Sequence, residues 1–176
     1  SFKLKNRLIM KRIYIYLTTI LTVLLASCGE EENPQTIPYA PCNFVINTRG
    51  FQEYLNSPFT IGAFVKDKAS FESKLTNASV VKVYDFPNWA SEKHGFGGVM
   101  VINNNGSLVA YDLCCPNEDN ASIRVLPNND FKAKCPKCKS EFALLSGGAP
   151  VSGPVREKLQ QYRVNNNGNG EYRIMN

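Results

Sequence analysis

The chain has 176 residues, of which 43% are hydrophobic and 20% are charged, and its formal charge at pH 7 is +5. Five basic side chains before Cys28, at positions 3, 5, 7, 11 and 12, account for the whole excess, since the remaining 15 basic side chains equal the 15 acidic ones. This balance excludes the basic stripe that a nucleic-acid partner requires.

The N-terminal segment has the composition of an export signal. Met10 is followed by two cations, and residues 13–25 are mostly apolar but shorter than the roughly 20 residues of a membrane span. Residues 25–28 read Leu-Ala-Ser-Cys, a pattern at which signal peptidase cuts before a lipid-modified cysteine. We therefore predict a lipoprotein signal peptide at residues 10–27, a lipid on Cys28 and an over-extended start at residues 1–9.

An acidic stretch follows the predicted lipid site. Residues 28–36 include three consecutive glutamates, which indicates a solvated tether. The stretch also resembles the acidic signal that directs some lipoproteins to the outer face of the outer membrane. Because no Asp directly follows Cys28, retention at the inner membrane is not indicated. We expect an outer-membrane lipoprotein, facing the periplasm or the cell surface, that contacts the membrane through Cys28.

Residues 37–176 have the length and the pattern of a single, mainly β domain. Two Asn-rich turns, at 103–106 and 166–168, predict tight antiparallel hairpins. Residues 70–77 predict one short helix with Ser70 as its N-cap. Runs rich in β-branched and aromatic residues predict strands at 44–47, 80–84, 99–102, 107–112, 161–164 and 172–175.

Two cysteine-bearing loops form the candidate site. They read Cys114-Cys115-Pro116-Asn117 and Cys135-Pro136-Lys137-Cys138. Successive side chains of an extended strand point to opposite faces, so only one of Cys114 and Cys115 is expected to reach a shared site. The single histidine, His94, lies in a Gly-rich segment and is expected to be a surface or loop residue. The sequence shows no Ser-His-Asp or Cys-His pairing of the kind that would indicate an enzyme with a nucleophilic site.

The segment from residue 97 to residue 176 resembles the Rieske iron–sulfur superfamily. The two loops keep the spacing of the family's C-x-H and C-x-x-H motifs. Ser140-Glu141-Phe142 continues as the family's G-S-x-F run does, with Lys139 in place of the glycine. Residues 147–164 are similar to its G-G-x-P-x-x-G-P-x-x-x-x-L-x-x-Y-x-V segment. The resemblance implies a Rieske-like antiparallel β-sandwich in which two hairpin loops meet tip to tip.

The family's ligand positions are only half retained. By resemblance, Cys115 and Cys135 match the two thiolate positions, whereas Asn117 and Cys138 occupy the places of the two histidines. A [2Fe–2S] cluster would take its fourth ligand from Asn117, Glu118 or a displaced Cys114. The thiolate of Cys138 would lower the cluster's potential toward about −400 mV. Because the leader lacks a twin arginine, the chain is expected to cross the membrane unfolded, which disfavours a cluster.

Two other states of the same cysteines stay open. A zinc ion would take Cys135 and Cys138 together with the Cys114-Cys115 pair. A disulfide from Cys115 to Cys135 or Cys138 is the usual state of nearby cysteines in an exported protein. It would close a loop of about 20 residues and contribute roughly 3 kcal/mol. The odd cysteine is then expected to be Cys42 or Cys114, unless these two pair with each other.

The expected function follows from this site. We expect a lipid-anchored, non-catalytic scaffold or binding module that is stapled by its cysteines, needs no cofactor and binds an unidentified envelope protein. The alternative is an electron-transfer protein with a redox partner, carrying a [2Fe–2S] cluster or zinc with altered ligands.

Overall fold

The computed structural model of the chain describes residues 34–86 and 92–176. The predicted over-extended start, the signal peptide, Cys28 and the tether as far as residue 33 lie outside the described residues and stay predictions. Ile37 is buried, and the backbone N–H of Thr36 donates to the side-chain oxygen of Gln160 at 2.9 Å. Twelve strands dominate the described part of the chain, so the mainly β class is confirmed.

Eight strands form the larger sheet. They are β1 Cys42–Asn47, β2 Thr60–Val65, β3 Val81–Asp85, β4 Lys93–His94, β5 Val99–Asn104, β6 Ser107–Asp112, β11 Gln161–Gly168 and β12 Glu171–Met175. Their order is β3-β2-β5-β6-β11-β12-β1-β4. The pairs are antiparallel except β2 and β3, which run parallel, and the segment that returns the chain between them contains the helix α1, Lys68–Glu72. A 3-10 turn, Glu53–Asn56, precedes β2.

The smaller sheet has four antiparallel strands in the order β10-β9-β8-β7. They are β7 Leu126–Pro127, β8 Lys132–Lys134, β9 Glu141–Ala143 and β10 Ala149–Ser152. The first cysteine loop connects β6 of the larger sheet to β7 of the smaller one. The second connects β8 to β9. The site thus lies between two connections: the crossing from the larger sheet to the smaller one, and the β8–β9 turn of the smaller sheet.

Two hydrophobic cores pack on opposite faces of the larger sheet. Along β5, Met100 and Ile102 enter the first core and Val99 and Val101 enter the second. Burial on both faces explains why this strand is a continuous apolar run. The first core also contains side chains of the smaller sheet, including Phe142, and therefore joins the two sheets.

The first predicted hairpin is confirmed, and the second has a different turn. Asn105 and Gly106 connect β5 to β6 with φ of +51° and +95°. The β11–β12 turn lies at Asn169 and Gly170, with φ of +52° and +79°. Residues 166–168, predicted as that turn, instead form an irregularity within β11, where the register shifts. The Asn-Gly pairs at 167–168 and 169–170 can both adopt positive φ. The pairing of β11 with β12 determines which pair forms the turn.

The predicted helix is displaced. It spans Lys68–Glu72 rather than 70–77, with Asp67 and not Ser70 at its N-cap position. Asp67 makes no capping bond with its side chain, which pairs with Arg124. Within the described residues, neither helical segment has the length and apolarity that crossing a membrane demands.

Candidate metal and thiol site

The first loop is held by hydrogen bonds between its two arms. A bridge pairs Cys114 with Arg124, and the N–H of Cys115 donates to the carbonyl of Ile123 at 3.2 Å. The N–H of Glu118 donates to the carbonyl of Cys115 at 3.0 Å. This last bond closes a turn over residues 115–118, so the side chains at its first and last positions belong to one rigid unit.

Asp112 anchors the start of the first loop. Its buried carboxylate accepts backbone N–H bonds from Phe96 at 2.7 Å, Gly97 at 2.9 Å and Cys114 at 2.7 Å, and the hydroxyl of Tyr162 at 2.8 Å. Burial raises the pKa of Asp112, while these four donors act in the opposite direction. A Cβ on Gly97 would lie 2.6 Å from the nitrogen of Cys114, so glycine allows this close approach.

The second loop turns tightly between β8 and β9. The N–H of Cys135 donates to the carbonyl of Ser140 at 2.9 Å, and the N–H of Lys139 donates to the carbonyl of Cys135 at 3.1 Å. Lys139 has φ of +64°, a conformation that favours glycine. The ammonium of Lys139 also contacts the carbonyl of Pro136.

The two loops bring three thiols together. The sulfur atoms of Cys115, Cys135 and Cys138 all lie within 4.8 Å of one another, and those of Cys115 and Cys138 are 3.6 Å apart. Cys115 and Cys135 are fully buried, whereas Cys138 is partly exposed. A disulfide bond is about 2.05 Å long, and the five cysteines of the described chain are free thiols. The structure of the described residues therefore does not show the disulfide that the sequence favours, and that disulfide stays a prediction.

Cys114 and Cys42 lie outside this group. The sulfur of Cys114 donates to the carbonyls of Cys115 and Asn120, each at 3.5 Å. Cys42 is buried in the second core. Of the adjacent cysteines, Cys115 is the one whose side chain points to the other loop.

A carboxylate lies at the end of the first turn, next to the thiols. The amide of Asn117 is exposed and donates to Glu118 at 3.3 Å, and the ammonium of Lys137 contacts Glu118 at 2.6 Å. The side chain of Glu118 is only 5% exposed. The bond from Lys137 lowers the pKa of Glu118, and a hydrogen bond with Cys138 acts in the same direction. The chain thus places an ionised carboxylate at the edge of the three-thiol group.

The three thiols differ in how readily they ionise. Burial raises the pKa of Cys115 and of Cys135. Burial also opposes ionisation of Cys138, but hydrogen bonds with Ser140 and with the neighbouring thiols outweigh it and lower the pKa. Cys138, the partly exposed thiol, is therefore the one that ionises first.

His94 is not the surface or loop residue that the sequence predicts. It lies in β4 opposite Cys42, and its side chain is 10% exposed. Its ring stacks on Phe86 with centroids 3.7 Å apart, and its Nε2 is 3.6 Å from the carboxylate of Glu92. Burial lowers the pKa of His94 to about 4. Aromatic packing, which is nonlocal in the sequence, keeps this ring inside.

Two further residues, Ser140 and Asp112, shape the site although the sequence does not identify them as site residues. The hydroxyl of Ser140 lies 3.3 Å from the sulfur of Cys138 and accepts the N–H of Val155 at 3.3 Å. Asp112 accepts the N–H two residues ahead of it, as Asp side chains in turns do. An Asp at a strand end is a recognisable signal, whereas nothing in the sequence around Ser140 reveals its partners.

Comparison with known proteins finds limited similarity. No protein-family model matches the chain, and no curated protein matches it. The ferredoxin of carbazole 1,9a-dioxygenase from Nocardioides aromaticivorans IC177 is 21% identical over 43% of this chain and 72% of its own, with a TM-score of 0.34. A ferredoxin of Sphingomonas yanoikuyae B1 is 18% identical over 45% and 74%, with a TM-score of 0.33. Neither likeness assigns a ligand or an activity to this chain.

Proposed function

We propose that this chain is a lipid-anchored envelope protein with a Rieske-like domain that serves as a scaffold or binding module. In this proposal Cys115, Cys135 and Cys138 tie the two loops together structurally and do not carry electrons. The lipid anchor is supported by the pattern before Cys28 and by the solvated acidic tether that follows it.

The observation that carries the proposal is the contact between the sulfurs of Cys115 and Cys138. In a Rieske arrangement, Cys115 would bind one iron, and position 138 would bind the other. Two irons and their bridging sulfides would then separate these two ligands. The sulfurs are instead 3.6 Å apart, which is a van der Waals contact. This arrangement of residues does not fit a two-iron cluster.

The test is the composition of the full-length protein, extracted from membranes with detergent and purified without chelators. We expect no iron, no acid-labile sulfide and no visible absorption. Iron and sulfide near two of each per chain would overturn the structural role and favour electron transfer. Recovery of the protein in the soluble fraction, without a lipid on Cys28, would contradict the anchor.

A further inference from the structure

The two loops have the same local pattern, with a proline after a cysteine and a second metal-ligating residue three positions on. The first is Cys115-Pro116-Asn117-Glu118 and the second is Cys135-Pro136-Lys137-Cys138. Sixteen residues, 119–134, separate Glu118 from Cys135. Zinc sites of the type C-x₂-C, a spacer of about 15–20 residues, and C-x₂-C have this spacing. Here glutamate stands at one of the four ligand positions.

The distances between the sulfurs fit one ion. Zinc binds thiolates at about 2.3 Å in a tetrahedron, so two thiolates on the same ion lie about 3.8 Å apart. The Cys115–Cys138 distance is 3.6 Å, and all three sulfurs lie within 4.8 Å of one another. Small side-chain adjustments would bring all three to zinc, whereas one disulfide would use only two of them.

Hydrogen-bond donors already surround the three sulfurs. Hydrogen bonding from the backbone N–H of Asn117 favours the thiolate form of Cys115, and that from the N–H groups of Lys137 and Cys138 favours the thiolate form of Cys135. Ser140 contacts the sulfur of Cys138 at 3.3 Å. Donors in these positions orient metal ligands and offset the negative charge of bound thiolates.

Glu118 is the residue available to complete the site. It occupies the position in the first loop that Cys138 occupies in the second; its carboxylate is nearly covered but lies outside the group of ligand atoms within 4.8 Å of one another, so it must turn toward the thiols to bind the ion. Lys137 holds that carboxylate at 2.6 Å and compensates part of the charge of three thiolates and a carboxylate. Asn117, at a family histidine position, points to solvent and to Glu118 instead.

We propose that Cys115, Cys135, Cys138 and Glu118 bind one structural zinc ion that joins the two loops. The proposal rests on the structural role given above and names its ligand. A carboxylate in the donor set favours zinc over copper(I), which prefers sulfur ligands alone.

The test measures zinc in the full-length protein and in two matched variants. We expect one zinc per chain in the wild type, with the thiols of residues 115, 135 and 138 unreactive until a chelator removes the metal. Glu118→Gln keeps the shape but removes the charge, and we expect it to weaken zinc binding more than about 100-fold, the upper end for residues that only orient ligands. Asp119→Asn is the control, because Asp119 is an exposed neighbour with φ of +44°, which Asn also tolerates. It should bind zinc as the wild type does.

Cobalt(II) in place of zinc gives a second readout, because its spectrum reports tetrahedral geometry and thiolate ligation. A metal-free protein with two of the three thiols oxidised would overturn the zinc site and leave the structural role standing. Iron with sulfide would overturn both. Equal zinc affinity in the wild type and Glu118→Gln would remove Glu118 from the ligand set and overturn the proposal as stated.

Discussion

Asp112 stabilises the start of the first loop although it is not a candidate ligand. Asp112 accepts four hydrogen bonds, and each buried donor left without its acceptor would cost about 1–3 kcal/mol. Without its carboxylate, the N–H groups of Phe96, Gly97 and Cys114 would be left without this acceptor. Because Asp112 lies outside the proposed ligand set, we expect substitutions at Cys115 or Asn117 to leave the loop's attachment to β6 intact.

His94 gives the protein a specific pH dependence. In the unfolded chain its pKa is about 6.5, whereas burial in the fold lowers it to about 4. Between these values the unfolded chain binds a proton that the folded chain does not. The free energy of unfolding therefore falls as the pH is lowered from about 6.5 to about 4, by at most about 1.4 kcal/mol per pH unit for this one group.

We expect His94→Phe to remove this contribution, since phenylalanine keeps the stack on Phe86 and does not titrate. Urea unfolding of both proteins at pH 7 and at pH 4.5 provides the comparison. The wild type should lose stability relative to the variant at the lower pH. Glu92, whose pKa burial raises, contributes with the opposite sign, so the difference between the two proteins is the quantity to use. Parallel pH profiles would show that His94 is not buried as described.

At the scale of elements, the segment after β10 determines the environment of Cys138. Gly153 has φ of +93°, and a Cβ there would lie 2.5 Å from both the Cα and the hydroxyl of Ser140. Glycine thus lets the chain lie directly on the residue that contacts Cys138.

Gly153→Ala should therefore destabilise the domain by at least about 2 kcal/mol, through backbone strain and overpacking together. The control is Gly147→Ala. Gly147 has φ of +70°, but its Cβ would meet nothing within 4 Å, so only strain of about 1 kcal/mol is expected. Denaturant unfolding measures both. In the metal-free protein, Cys138 should also react more slowly with thiol reagents in Gly153→Ala, because displacement of Ser140 removes a hydrogen bond that favours the thiolate. Equal losses of stability in the two variants would contradict this interpretation.

Some elements could be predicted from sequence and others could not, for physical reasons. The β5–β6 hairpin is encoded locally, because an Asn-Gly turn joins two β-rich runs. β2 was missed because Thr60–Val65 contains Gly62 and Ala63, which weaken the strand signal, and is buried along its whole length. Burial on both faces removes the alternation by which strands are recognised.

At the scale of the whole molecule, the larger sheet separates two cores. Ile46 of β1 lies in the second core, and Ile61 and Ile102 lie in the first, directly opposite each other on β2 and β5. The sheet between the cores should limit the energetic coupling between a substitution in one core and a substitution in the other, because side chains on opposite faces share few neighbours.

Ile-to-Val substitutions test this separation. Each should cost about 0.5–1.5 kcal/mol of stability. The losses from Ile46→Val and Ile102→Val should add to within about 0.5 kcal/mol in the double variant, whereas those from Ile61→Val and Ile102→Val should deviate from additivity. Double-mutant cycles by urea unfolding measure both pairs. Similar deviations from additivity in both pairs would mean that the two cores are energetically coupled.

The sequence by itself determined the mainly β class and the first hairpin, because alternation and turn residues act over a few positions. Strand alternation also predicted that only one of Cys114 and Cys115 could face a shared site. Only the tertiary structure decided that Cys115 and Cys138 are in contact, that β2 and β3 run parallel and that the side chain of His94 is largely covered. These features depend on strand register and on packing between segments far apart in the chain, and no local pattern encodes them.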